Sequence, residues 1–303
     1  WFYGCHLSHR IVKLKSNSPA PLPFSKVGSS FDASVDVPIG SSKQPISFYK
    51  NNPCNLNPYT EMAKISILVA SGLALLFFAI SAGALHPAGF IMTVVNNCPY
   101  AVYPAIQPNA GFHILEKGGF QLQPLSHRSF YGPTTHWSGR VWARTGCAYA
   151  NGRFHCATGD CNNQVECNGQ GGATPAGLAE FSLHHGPGNK LCSYAVSLVD
   201  GFNIPMTITP HEGQGRCPVV GCREDLLATC PDHLKYRYPA KSGKVVGCSS
   251  ACEAYGTDEF CCRNHYNTSQ TCRPSSYSQF FKQRCPATIT YPFDTSSLTH
   301  ECS

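Results

Sequence analysis

Charge is scarce in this sequence: Asp, Glu, Lys and Arg make up only 13% of its 303 residues. With 27 Gly, 23 Pro and 18 Cys alongside, that scarcity argues against long helices. It favours short strands, frequent turns and a covalent frame. A basic run interleaved with aromatics is also missing, which excludes nucleic acid as a partner. The net charge of +6 sits mostly near the N-terminus, where residues 1–61 carry six Lys/Arg against three Asp/Glu. Residues 85–303 carry 16 against 14, a balance of only +2. There is no His-Glu-x-x-His, no phosphate loop and no Ser-His-Asp constellation, so neither a metal nor a cofactor is expected. The pair His184-His185 lacks ligand spacing and reads as solvated loop residues.

Long apolar runs are absent except at 67–80, which is too short and too weakly flanked for a comfortable membrane span. It follows Met62-Ala63-Lys64 and precedes Ala82-Gly83-Ala84, the grammar of a secretory signal peptide over 62–84 with a mature chain from near Leu85. Residues 1–61 are rich in Ser and Pro and hold two isolated cysteines, Cys5 and Cys54. They read as upstream untranslated sequence rendered as protein, or alternatively as a disordered extension.

What the sequence has in abundance is cysteine. Sixteen fall between Cys98 and Cys302, a density that points to structural bridges in an oxidising compartment. Zinc ligation is the alternative use of such cysteines, and the secretory signal disfavours it. From Phe90 the chain reads as β, with strand-like runs at 90–95, 101–105, 140–144, 179–183, 194–199 and 205–209 separated by Gly, Pro and Asn clusters. That pattern suits an antiparallel sandwich rather than βαβ units. Between Cys217 and Cys285 nine cysteines crowd together, so that part must be held largely by bridges. Its expected helical pieces are 226–234 and 276–283.

The segment from Gly152 to Cys167, with Cys156-Ala157-Thr158-Gly159-Asp160-Cys161 at its centre, resembles the signature of the thaumatin-like family. Asn96-Asn97-Cys98-Pro99-Tyr100, Trp142-Ala143-Arg144-Thr145-Gly146-Cys147, Val199-Asp200-Gly201-Phe202-Asn203 and the adjacent Cys261-Cys262 agree with it. The resemblance spans 88–302. It implies a mainly β fold, an antiparallel β-sandwich with a disulfide-rich, partly helical second domain over 217–285. It also implies the pairs Cys147 with Cys156, Cys161 with Cys167, Cys217 with Cys302, Cys222 with Cys285, Cys230 with Cys248, Cys252 with Cys261, and Cys262 with Cys272. Cys98 and Cys192 are left outside this scheme. The family partner of Cys98 lies in a closing C-terminal strand that this sequence does not include, so the expectation is a Cys98 that stays a free thiol or forms an aberrant pair, a Cys98–Cys192 bridge being disfavoured, and an open sheet edge beside 90–95.

Family analogy further implies a cleft lined by Arg140, Glu180, Asp200 and Asp294, with Ala195 where another acid is usual. Glycoside hydrolysis needs two carboxyl groups, and Glu180 and Asp200 are the candidate acid and partner. Arg140 should depress their pKa values, which favours binding over turnover. The expected function is a secreted plant antifungal protein, extracellular or vacuolar, that binds β-1,3-glucan or a fungal surface as a monomer. A weak endo-β-1,3-glucanase, a hydrolase inhibitor and a sweet-taste protein are the alternatives on the same scaffold. Asn267-Thr268-Ser269 is a possible glycosylation sequon.

Overall fold

A computed structural model describes residues 7–13, 90–184, 192–211, 213–240, 243–294 and 302. The chain divides into one compact unit of Trp1–Ser16 with Pro87–Ser303 and another of Asn17–His86. The second unit, and with it the signal-like segment 62–84, lies outside the described residues, as does His185.

Period-two alternation of apolar and polar residues builds the first unit. A five-stranded sheet runs in the order β11 (Val220–Cys222), β10 (Met206–His211), β1 (Leu7–Lys13), β2 (Phe90–Asn96) and β4 (Ser126–Tyr131). A four-stranded antiparallel sheet runs β3 (Tyr103–Pro108), β5 (Trp137–Arg144), β8 (Leu178–Leu183) and β9 (Ser193–Ser197), with a short hairpin of β6 (Ala148–Ala150) and β7 (Arg153–His155) following β5. Phe90, Met92 and Val94 of the first sheet share one buried core with Trp137, Val141, Phe181 and Val196 of the second. Burying each such side chain stabilises by about 1.5–3 kcal/mol relative to exposure. The residues between them, Ser138, Arg140, Glu180, Ser182 and Ala195, therefore project from the opposite face of the four-stranded sheet. Part of that face is covered by a smaller core of Ala105, Trp142, Cys161, Cys167, Ala176 and Leu178.

Arg144 ties the loop of that smaller core to the sheet. Its fully buried guanidinium donates to the carbonyls of Gln164 at 2.5 Å and Val165 at 2.7 Å, and Nε donates to Tyr103 O at 3.0 Å. Burial pulls its pKa down to about 10, and the carbonyls supply the hydrogen bonds that a desolvated guanidinium requires.

Among the described residues seven bridges join Cys147–Cys156, Cys161–Cys167, Cys217–Cys302, Cys222–Cys285, Cys230–Cys248, Cys252–Cys261 and Cys262–Cys272. The separation of 85 residues between Cys217 and Cys302 makes this the largest loop closed by these seven, nominally worth about 4–5 kcal/mol in the chain-entropy account. The segment from Cys217 onward is irregular, with a hairpin of β12 (Lys235–Tyr238) and β13 (Lys244–Cys248) and three short helices, Ala251–Tyr255, Asp258–Cys261 and Ser276–Arg284. Ser250 and Ser275 cap the first and last of these by accepting from Glu253 N and Ser278 N.

Three expectations need correction. Residues 226–234 are not helical beyond a single turn at Asp232–Leu234; Pro231 has no N–H to give, and the residue before a proline is pushed away from α geometry. The edge beside β2 is not open, because the backbone of Leu7–Lys13 pairs with β2 in antiparallel fashion and with β10 in parallel. Cys98 is fully buried and disulfide-bonded rather than a thiol, to a residue outside the described ones. With a strand beside β2 the sheet is continuous there, and a buried sulfur can be bridged. As for Cys192, its thiol lies 3.8 Å from the carbonyl oxygen of His184, and its backbone N donates to Cys302 O at 2.7 Å.

Candidate functional site

The outward face of the four-stranded sheet carries a cleft of about 260 Å³, with Arg140, Glu180, Ser182, Ser193 and Ala195 among its lining residues. Strand register arranges its floor in rows. In one row Gln107, Arg140, Glu180 and Ala195 stand opposite one another across β3, β5, β8 and β9. In the next, Ser138, Ser182 and Ser193 do the same, and Asn109 joins them by donating from Nδ2 to Ser138 Oγ at 2.7 Å. Residues directly opposite in an antiparallel pair have Cβ atoms about 4.5–5.5 Å apart, so each row is contiguous, polar throughout in the serine row and as far as Glu180 in the other.

Asp200 lies in the turn after β9, near enough to feel Arg140 and to act on Glu180 but outside the residues that line the cleft. Gly201 sits at φ 90°, and a Cβ there would lie 2.7 Å from Cys248 O and from Pro175 Cβ. Only glycine fits this reversal, and the Asp200 carbonyl is fixed by Ala176 N at 3.0 Å. The Glu180 carboxyl is raised above its ordinary value of 4.5, first by burial and also by Asp200, with the Arg140 guanidinium opposing. Asp200 is likewise raised from 3.8, by burial and by Glu253, again against Arg140. The expected depression by Arg140 is therefore reversed. Desolvation of two half-buried carboxyls outweighs a guanidinium that acts on them through space.

Glu253 was not anticipated. It lies in the helix Ala251–Tyr255 and its Oε2 accepts from Thr174 Oγ1 at 2.6 Å. No sequence motif marks it, since the juxtaposition with Asp200 arises only when the disulfide-rich segment folds back. Asp294 behaves differently from its expected role. It is buried, its two oxygens accept from Lys282 Nζ at 3.0 and 3.1 Å, and Oδ2 also accepts from Thr290 N and Thr290 Oγ1 at 3.0 Å. With Lys282 donating to Thr288 O as well, this carboxylate anchors the segment after Cys285, and it is not among the residues lining the cleft. Asn267 is exposed, as a glycosylation acceptor must be. Among the described residues no group of three or more His, Cys, Asp or Glu is placed to hold a metal, and no helix is long and apolar enough to cross a membrane.

A sandwich of two mainly antiparallel sheets, framed by disulfides and bearing a cleft with the half-buried Glu180 beside Arg140, defines a class of disulfide-framed β-sandwich proteins. The thaumatin family pattern matches residues 96–303, and the chain belongs to the thaumatin family, as a thaumatin-like protein of the pathogenesis-related group 5 type. It is similar to an osmotin-like protein of Solanum lycopersicum, 61% identical over 242 residues that cover 80% of this chain and 96% of that protein. A glucan endo-1,3-beta-glucosidase of Prunus avium is 42% identical over 245 residues, 80% of this chain and 95% of the other. Pathogenesis-related protein 5 of Arabidopsis thaliana is 41% identical over 234 residues, 77% and 94% of the two chains.

Proposed function

We propose that this is a secreted plant defence protein that binds β-1,3-glucan, as found in fungal walls, in the cleft over β5, β8 and β9. The observation that carries the reading is the register pair Arg140 and Glu180 on the floor of an open cleft. A guanidinium and a half-buried carboxyl flanked by neutral hydroxyls suit a polyhydroxylated ligand, which needs many directed hydrogen bonds and no net charge. Seven bridges fit passage through an oxidising compartment.

A second reading, weak endo-β-1,3-glucanase activity, is favoured by the raised carboxyl of Glu180. A general acid must be protonated near working pH, and burial moves Glu180 in that direction. Asp200 would be the second carboxyl, and the name of the Prunus avium relative is in keeping with this chemistry. The two readings separate in one experiment: retention on insoluble β-1,3-glucan measured beside reducing-sugar release from the soluble polymer. Retention without release supports binding alone, release that is lost in Glu180→Gln supports hydrolysis, and neither retention nor release refutes both.

A further inference from the structure

The sheet face that carries Arg140 and Glu180 continues beyond the serine row. His136 and His184 stand just past the last register pair, Trp137 and Leu183, one row beyond Ser138 and Ser182. The two imidazoles stack at 3.9 Å between centroids with 10° between their planes. Both Nε2 atoms converge on one hydroxyl, Ser182 Oγ, at 3.1 Å from His136 and 3.4 Å from His184, and Ser182 itself lines the cleft. Phe112 closes the far side of His136 edge-on at 4.8 Å.

This arrangement has chemical consequences. A hydroxyl has one proton to donate and lone pairs to accept, so Ser182 can satisfy one imidazole as acceptor and the other as donor. With both Nε2 atoms used in that way, each Nδ1 remains, and among the described residues neither Nδ1 has a hydrogen-bond partner. Both rings are partly exposed. Packing of the rings against each other and against Phe112 holds them in place, so a ligand would not bear the entropic cost of ordering them. Successive same-face residues on a strand are about 6.6–6.8 Å apart, so Glu180, Ser182 and His184 form a straight line of polar groups along β8.

We propose that His136 and His184 form a further sugar subsite at the Ser182 end of the cleft, so that the protein takes a linear neutral oligosaccharide lying along β8 from Glu180 to His184. This rests on the glucan-binding reading above and adds to it a direction, a minimum ligand length and two residues that determine it. The pair offers hydrogen bonds to the hydroxyls of one pyranose ring and a flat heteroaromatic surface beside them.

Calorimetry with linear β-1,3-gluco-oligosaccharides of two and of six units tests this, using the full chain and the variants His136→Gln, His184→Gln and Glu180→Gln. Loss of one or two neutral hydrogen bonds predicts that each histidine variant weakens the hexasaccharide roughly threefold to tenfold and leaves the disaccharide unchanged. Hexasaccharide should also shift the ring resonances of both histidines in NMR spectra, a readout that a merely structural role would not move. Unchanged hexasaccharide affinity in both histidine variants, with affinity lost in Glu180→Gln, overturns the subsite and leaves the cleft reading standing. Absence of oligosaccharide binding by the unsubstituted protein overturns both.

Discussion

Arg140 and Glu180 face each other across β5 and β8, yet burial, not the guanidinium, sets the direction in which the Glu180 carboxyl moves. A charge pair read from sequence alone suggests mutual ionisation. The fold supplies the desolvation that opposes it.

Asp200 gives the clearest pH signature. Its folded-state pKa lies above the ordinary 3.8 because of burial and then Glu253. The native state therefore binds more protons than the unfolded chain between 3.8 and the raised value, and stability falls as pH rises through that window. Below it, the Asp200 contribution vanishes. Asp200→Asn is expected to raise the melting temperature at pH 7, by about 2–4 °C for each kcal/mol recovered, and to leave it unchanged at pH 3. A thermal melt series from pH 3 to 7 checks this, and equal effects at both ends would contradict it.

Restoring an acid at Ala195 should act on Glu180. Ala195 is the register partner of Glu180 on β9 and is buried, so Ala195→Asp sets two carboxyls directly opposite each other. Like charges so placed destabilise and push one pKa further up. The expected outcome is a lower melting temperature at pH 7 and, if Glu180 acts as general acid, a pH optimum for reducing-sugar release moved to higher pH.

Removal of Asp294 should cost stability and spare the ligand. Its carboxylate is the partner of Lys282 and of two Thr290 groups, and breaking such a buried set costs about 2–4 kcal/mol. Asp294→Asn is therefore expected to lower the urea midpoint while retention on β-1,3-glucan at low temperature persists. Glu180→Gln should show the reverse.

The buried Arg144 is a stronger test of the fold. Arg144→Leu leaves the carbonyls of Gln164, Val165 and Tyr103 without their donor, at about 1–3 kcal/mol for each group that water cannot reach. Arg144→Lys keeps the charge but replaces a planar fork by a single ammonium, so it should recover only part of the loss. Denaturant midpoints for the two variants decide this.

Cys98 is expected to resist alkylation in the native, oxidised protein and to react only after reduction, since it is buried and bridged. Peptide mapping with differential labelling reads this directly, and it will also identify the partner cysteine.

The runs 90–95, 101–105, 140–144, 179–183, 194–199 and 205–209 were legible as strands in the sequence and overlap β2, β3, β5, β8, β9 and β10, because alternation and β-branching are local properties. Resemblance to the family supplied the candidate disulfide pairs and the candidates Arg140, Glu180 and Asp200. Other features escaped local reading for identifiable reasons. The strand Leu7–Lys13 is a seven-residue run with little periodicity of its own, and its place between β2 and β10 is fixed by partners far along the chain. Glu253 reaches Asp200, and His136 meets His184, only through tertiary folding and sheet register. Above all, sequence identifies which groups can ionise, but desolvation depends on the density of surrounding protein. The raised carboxyls of Glu180 and Asp200 and the anchoring role of Asp294 were therefore decided by the tertiary structure alone.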